Sequence, residues 1–132
     1  VCRELKISDW TRKTDGKVST EEARIILNEI NAGDMKVDLE DFRIGLEVEL
    51  EHGTRFKEAN VTNNHPILTG KIVVAHFEEM LDYYQRLEVA EIEGDILKAL
   101  VAQNHEKLEK YTRKLVEAKI ALSKAEAKAL GM

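Results

Sequence analysis

The sequence predicts an all-α fold: a single helical domain over residues 1–132, arranged as a bundle of about four helices with a long C-terminal helix. Three observations carry this prediction. Charged residues make up 34% of the chain and aromatic residues 5%, and proline occurs once. Alanine, leucine, glutamate and lysine, which favour helices, are abundant. No alternation of apolar and polar residues, typical of a half-buried strand, extends far along the chain.

A capping box marks the first predicted helix, which covers residues 20–31. Ser19 stands where an N-cap hydroxyl accepts a backbone N–H, and Glu22, three residues on, completes the pair. Gly33 is expected to end this helix. Its apolar face is formed by Ala23, Ile26, Leu27 and Ile30.

The second predicted helix covers residues 39–52, with Asp38 as its N-cap and Gly53 as its stop. Its apolar stripe is formed by Leu39, Phe42, Leu46 and Leu50. Glu49 falls on the same stripe, where a core residue is expected. A polar residue in such a place breaks a local rule, and broken rules tend to mark functional positions.

A third helix is predicted over residues 66–93, because Pro66 suits a first helical turn. Its stripe consists of Ile72, His76, Glu79, Met80, Tyr83 and Leu87. The polar His76 and Glu79 again replace expected core residues. His65, just before the helix, is expected to cap it or to lie exposed, with a role as a fifth metal ligand as the alternative.

The fourth predicted helix is the longest and covers residues 95–129. An unbroken helix over 66–129 would be about 95 Å long, which a compact domain of this size cannot bury, so a break is expected at Gly94. The alternative is one long helix that finds its partner in another subunit. The seam of the fourth helix is formed by Ile96, Leu100, Leu108, Tyr111, Leu115 and Leu122. This seam favours pairing with another helix, in the same chain or in a second copy. We therefore expect a homo-oligomer formed through the C-terminal helix.

Two pairs of metal-ligating residue types lie on the second and third predicted helices. Glu49 and His52 are three residues apart, as are His76 and Glu79, so each pair shares one helix face. Carboxylate and imidazole ligands suit iron, manganese or zinc, and di-iron bundles use Glu-x-x-His pairs from different helices. The sequence therefore predicts a divalent-metal site at these four residues. A metal-free polar cluster or a solvated face remains the alternative. Further candidates are Glu47, Asp82, Glu91 and Asp95, with Tyr83 as a hydrogen-bond donor to a ligand.

Other chemistries fit the sequence less well. The segment from Thr11 to Glu22 resembles a calcium-binding loop, but its first and third positions are Thr11 and Lys13 in place of acids. The Thr-Gly-Lys at 69–71 lacks the upstream glycine and the following Ser or Thr of a phosphate-binding loop, so no nucleotide is expected. No Gly-x-Ser-x-Gly nucleophile motif occurs.

Charge and cysteine content limit the partners and the compartment. The net charge of −5 disfavours binding to nucleic acid or to an anionic membrane surface. No apolar run of 18 residues occurs, so no membrane span is expected. The single cysteine, Cys2, excludes a disulfide framework and favours a reducing, cytoplasmic location. The chain begins at Val1 without a visible signal peptide, which leaves an upstream segment open.

Four short motifs follow one another in order: Glu-Leu-Glu-His-Gly at 49–53, Asn-Val-Thr-Asn at 60–63, Thr-Gly-Lys-Ile at 69–72 and Asp-Tyr-Tyr-x-Arg-Leu at 82–87. In these motifs the chain resembles a small bacterial and phage family known only as a domain of unknown function. The resemblance covers about residues 37–98 and leaves residues 1–36 as an N-terminal extension. It implies a helical domain and supplies no catalytic residues. A looser similarity to ferritin-like proteins, which build a di-iron site across a dimer, rests on the Glu-x-x-His pairs.

Two functional hypotheses of different classes follow. The leading one is a ferritin-like metal-binding protein that oxidises or stores iron at Glu49, His52, His76 and Glu79. The competing one is a non-enzymatic interaction or phage-associated structural protein, in which the same residues form a buried hydrogen-bond network of His, Glu and Tyr. A small-molecule pocket between helices is a third possibility. The sequence leaves open whether the protein is an enzyme.

Overall fold

The computed structural model describes residues 1–10, 13, 15–30, 33, 35–56, 58, 60 and 64–132. These residues form six helices and no strand, which confirms the all-α prediction and the long C-terminal helix. The helices are α1 Cys2–Leu5, α2 Thr20–Ile30, α3 Leu39–Arg55, α4 Pro66–Glu79, α5 Tyr83–Val101 and α6 His105–Ala129. None of them is both long enough and apolar enough to cross a membrane.

The chain divides into two compact units, Val1–Leu81 and Asp82–Met132. The first unit holds α1 to α4, in which α2, α3 and α4 pack against one another. The second unit consists of α5 and α6, which pack together as a hairpin and are called the α5–α6 hairpin below.

The starts of α2 and α3 follow from their caps, as predicted. The Oγ atom of Ser19 accepts the backbone N–H of Glu22 at 3.1 Å. Asp38 uses Oδ1 in the same way toward the N–H of Asp41, also at 3.1 Å. Such caps satisfy backbone donors that have no partner within the first helical turn. The prediction that α3 stops at Gly53 is wrong, because Gly53 keeps a helical conformation and α3 continues to Arg55.

The core of the first unit is apolar and almost fully enclosed. Its largest fully buried side chains are Trp10, Ile26, Phe42, Leu46, Leu50, Val73 and Thr69. The predicted α3 stripe is confirmed at its three buried members, while Glu49 beside them is half-buried. Residues 1–36 contribute buried side chains to this core, among them Trp10 and Ile26.

The third predicted helix, over 66–93, is wrong in length and in its buried face. It divides into α4 and α5, with Met80 in an extended conformation after Glu79. Residues 78–84 contain neither proline nor glycine, so no helix-breaking residue in the local sequence predicts this break. The buried residues of α4 are Pro66, Thr69, Gly70, Val73, Val74 and Phe77. The apolar run at 72–75 places apolar groups on every side of the helix, so periodicity alone does not identify the buried face.

The predicted break at Gly94 is also wrong. Helix α5 passes through Gly94 and ends at Val101. A glycine inside a helix costs about 1 kcal/mol relative to alanine, which packing readily offsets. The connection comes at 102–104 instead, where Gln103 has a φ of 54° and the side chain of Asn104 caps α6 by accepting the N–H of Lys107.

Apolar contacts and an ion-pair cluster join the two helices of the hairpin. Most of the predicted C-terminal seam is half-buried, including Leu108, Tyr111 and Leu115, whereas Leu100 is exposed. At the open end, Arg86 on α5 donates to Asp82 at 2.9 Å and to Glu126 on α6 at 3.0 Å. The hydrogen bonds that Arg86 donates, chiefly to Asp82 and then to Glu126, raise the pKa of Arg86 above its ordinary value.

Candidate metal centre around Glu49

Glu49 lies between two histidines, one from its own helix and one from the next. The Nε2 atom of His76 on α4 lies 3.4 Å from Oε1 of Glu49. On α3, Nδ1 of His52 lies 4.0 Å from Oε2 of the same carboxylate. Both contacts are ion pairs only while the imidazole is protonated. The carboxylate therefore offers one oxygen to each imidazole.

Packing of α3 against α4 positions this group. Leu50, next to Glu49, and Phe77, next to His76, are buried in the core. Their polar neighbours therefore come to the rim of the contact between the two helices. The side chain of Glu49 is 15% exposed, that of His76 29% and that of His52 47%. The centre is thus open to water on the His52 side.

Of the four predicted metal ligands, His52 and His76 each contact Glu49, but through different oxygens of its carboxylate. Glu79, the fourth, is the last residue of α4 and is exposed. Within the described part of the chain, no group of three or more His, Cys, Asp or Glu side chains is placed to hold a metal ion. Three of the further candidates, Asp82, Glu91 and Asp95, lie in the second unit, where Asp82 pairs with Arg86.

Glu47, another of the further candidates, is engaged in holding the backbone before α2. Its Oε2 accepts the N–H of Val18 at 2.8 Å, and its Oε1 lies 3.0 Å from Nη1 of Arg43. Arg43 also donates to the carbonyl of Val18 at 3.4 Å and pairs with Glu40. Hydrogen bonding to Glu40 first, and the charge of Glu47 in addition, raise the pKa of Arg43 above its ordinary value. This cluster fixes the chain in front of α2.

Glu22, the last position of the calcium-like pattern, binds Trp10. Its Oε2 accepts the indole N–H of Trp10 and the hydroxyl of Ser8, both at 2.8 Å. Burial raises the pKa of Glu22, but the hydrogen bonds from Trp10, Ser8 and Ser19, with the charge of Lys13, outweigh burial and leave that pKa below its ordinary value. Thr11, the first position of the calcium-like pattern, lies outside the described residues.

Gly53 and Asn60, both in the short motifs, have packing roles that were not predicted from the sequence. A Cβ added to Gly53 would lie 2.9 Å from the side chain of Asn60, which donates to Asn64 at 3.0 Å. Asn64 in turn donates to the carbonyl of Trp10 at 3.5 Å. His65 caps α4, as expected, since its Nδ1 accepts backbone N–H groups of the first turn. The glycines of the motifs were the available signal, because glycine often marks a close approach.

Comparison with known proteins supplies a family and no activity. The model of one family, described as Protein of unknown function (DUF5661), matches residues 1–93 of this chain. The match includes residues 1–36, which the motif resemblance had left out, and ends within α5. No curated protein and no solved structure matches the chain.

Proposed function

Because the chain belongs to the DUF5661 family of unknown function, we propose its function from its own geometry: a non-enzymatic interaction protein that self-associates through the α5–α6 hairpin. One observation carries the proposal. The hairpin buries only Tyr84, Ile92, Ala99 and Ala118. It leaves five large apolar side chains of its helices exposed, at Leu97, Leu100, Val101, Val116 and Ile120, and a sixth, Leu130, just after α6.

Two helices alone bury only a small apolar core, and this favours packing of the hairpin against a further helical layer. Units of this size seldom bury enough apolar surface to be stable without additional packing. Leu97 is 63% exposed and Val101 78% exposed, so a partner that covered them would remove substantial apolar area from water. Full burial of such a side chain contributes about 1.5–3 kcal/mol.

Charge favours a second copy of the chain as the partner. Helix α5 carries four acidic and two basic side chains, a net charge of −2, whereas α6 carries four acidic and seven basic ones, a net charge of +3. Two hairpins can therefore associate with α5 of one against α6 of the other and satisfy both charge excesses.

Sedimentation velocity of the full chain, from micromolar to submillimolar concentration, tests the proposal. We expect the sedimentation coefficient to rise with concentration. The double variant Leu97→Asp/Ile120→Asp should remain monomeric, because it places charges on both exposed faces of the hairpin. Leu68→Asp is the matched control, since Leu68 is an exposed apolar residue on α4 in the other unit. A wild-type chain that stays monomeric at every concentration would overturn the proposal.

A second candidate function is divalent-metal binding by Glu49, His52 and His76, with Glu79 as the fourth residue of the set. The observation in its favour is the placement of imidazoles 3.4 and 4.0 Å from the two oxygens of Glu49. Iron, manganese and zinc are the metals that such a donor set suits. Binding would require Glu79, a water molecule or a further residue to complete the coordination.

Equilibrium dialysis against zinc, manganese and Fe(II) tests this second candidate. About one equivalent of metal should be retained, and bound metal should raise the melting temperature, because it binds the folded state alone. His76→Ala should abolish retention, whereas His105→Ala, at an exposed position of α6, should not. Glu79→Gln measures the contribution of the exposed carboxylate. A metal-free chain whose melting temperature is unchanged by added metal excludes the site.

A further inference from the structure

We infer that self-association is head-to-tail: the outer face of α6 in one copy receives the outer face of α5 in the next copy. This inference rests on the proposed self-association and specifies its geometry. Both outer faces are apolar and exposed, and they lie on different helices of the same hairpin. A contact of this kind is heterologous and produces a ring or an open array instead of a closed two-fold dimer.

The outer face of α6 carries a shallow groove of about 430 Å³. The groove is lined by Val116, Lys119, Ile120, Ser123, Lys124 and Ala127. These residues recur every three or four positions and so form one stripe of the helix. Ala118, Leu115 and Leu122 turn toward the interior of the hairpin. At 100° per residue, the groove stripe lies about 140° around the helix from that inner side.

The outer face of α5 is a second apolar stripe, formed by Ala90, Gly94, Leu97 and Val101. Its members are four, three and four residues apart, and all of them are exposed. The buried residues Ile92 and Ala99 lie on the opposite side of α5, toward the interior of the hairpin. Each helix of the hairpin therefore has one apolar side facing its partner helix and another facing outward.

The charged residues beside the α6 groove and the α5 stripe indicate whether α6 pairs with α6 or with α5 of the next copy. Lys119 and Lys124 border the α6 groove. In a two-fold, antiparallel pairing of α6 with its own copy, Lys119 would stand opposite Lys124 of the second copy, and a parallel pairing would set each lysine against itself. Both arrangements place like charges together, which disfavours them.

The α5 stripe offers acidic charges in excess. Glu91, Glu93 and Lys98 stand beside it and are exposed, so acidic side chains outnumber basic ones there. When this stripe occupies the α6 groove of the next copy, acidic side chains come near Lys119 and Lys124 and apolar side chains cover Val116 and Ile120. The second copy of the chain is thus the occupant that satisfies both the apolar and the charged parts of the groove.

A pair of complementary single variants tests the head-to-tail geometry. Leu97→Asp disables the α5 face and Ile120→Asp disables the α6 face, each at an exposed residue. Sedimentation velocity should show each variant alone as a monomer. An equimolar mixture should form a 1:1 complex that grows no further, because each variant retains the face the other one lacks. Circular dichroism of each variant checks that helix content is retained, and Leu68→Asp serves as the unaffected control.

The outcomes separate this inference from the proposal beneath it. Wild-type chain that never associates overturns both. A different result would overturn the inference alone. If Ile120→Asp abolishes association, Leu97→Asp leaves it intact and mixing the two variants does not restore it, the contact is a two-fold pairing of α6 with α6. As a second measurement, Lys119→Glu/Lys124→Glu should weaken association at least about tenfold, and the same change combined with Glu91→Lys/Glu93→Lys should restore it. Failure of that rescue also counts against the head-to-tail contact.

Discussion

Two glycines inside helices should respond to alanine with opposite signs. A Cβ at Gly70 on α4 would overlap Cδ1 of Ile30 and would lie 2.9 Å from Cγ2 of Ile26 and 3.3 Å from Cζ of Phe42. A Cβ at Gly94 on α5 would meet nothing within 4 Å. Both substitutions remove the same conformational freedom from the unfolded chain. Their difference therefore isolates the cost of crowding the contact between α2 and α4.

The magnitudes follow from the neighbours of each glycine. Alanine in place of a helix-interior glycine stabilises by about 1 kcal/mol, which is the expected gain for Gly94→Ala. At Gly70 the half-buried Ile30 can rotate its terminal methyl away, but Ile26 and Phe42 are 0% exposed and have nowhere to move. Overpacking of this kind costs about 1–3 kcal/mol, so Gly70→Ala should destabilise its unit by about 1 kcal/mol net.

Urea unfolding of dilute, monomeric protein measures both changes. Trp10 is the one tryptophan of the chain and is buried in the first unit, so its fluorescence reports the unit that contains Gly70. Helical circular dichroism also follows the hairpin that contains Gly94. We expect Gly70→Ala to lower the urea midpoint of the fluorescence transition and Gly94→Ala to raise the midpoint of the hairpin transition. If Gly70→Ala stabilises the protein as much as Gly94→Ala does, the close approach of α2 and α4 is refuted.

Three further predictions concern the polar contacts. The pKa of Glu22 is lowered in the folded state, so the stability it contributes is present above its ordinary value of 4.5 and is lost as the pH falls through the lowered value. Glu22→Gln should cost about 1 kcal/mol at neutral pH and should flatten the pH dependence of unfolding within that range. Acid unfolding followed by Trp10 fluorescence that is the same in the variant and the wild type would contradict this. Glu47→Ala should destabilise the first unit by about 1–3 kcal/mol, because it leaves the N–H of Val18 without its carboxylate acceptor. The same urea titration measures the control Glu51→Ala, at an exposed position of α3, which should change the free energy of unfolding little. Asn104→Ala should destabilise the hairpin by about 1 kcal/mol through loss of the α6 cap, and a thermal melt of the hairpin that does not shift would show that this cap is dispensable.

The parts of the fold that are encoded locally were predictable from the sequence. Ser19 and Asp38 fix the starts of α2 and α3 through contacts within four residues, and the α3 stripe has clear helical periodicity. The breaks after α4 and α5 were not predictable. No proline or glycine marks the turn after Glu79, and Gly94, which suggested a break, lies within a continuous helix. We attribute the positions of these two breaks to packing between helices, which local sequence does not reveal.

The same division applies to the candidate centre. Glu49 and His76 were identified because each broke an otherwise apolar pattern, and the structure places them 3.4 Å apart. Glu79 was assigned on the assumption that the third helix ran on to residue 93, but it lies at the end of α4 and is exposed. The roles of Glu47 and Glu22 depend on residues 29 and 12 positions away in the chain. Contacts at that separation leave no periodic trace in the sequence.

The buried indole of Trp10 has a practical consequence for anyone who trims this protein. Its N–H reaches Glu22 at the start of α2, and its carbonyl receives Asn64 from the segment before α4. Deleting residues 1–10 would remove this buried indole, and substitution of a buried tryptophan by alanine alone costs about 3–5 kcal/mol. We therefore expect the shortest fragment that folds by itself to include this tryptophan, even though the first helix longer than four residues starts only at Thr20.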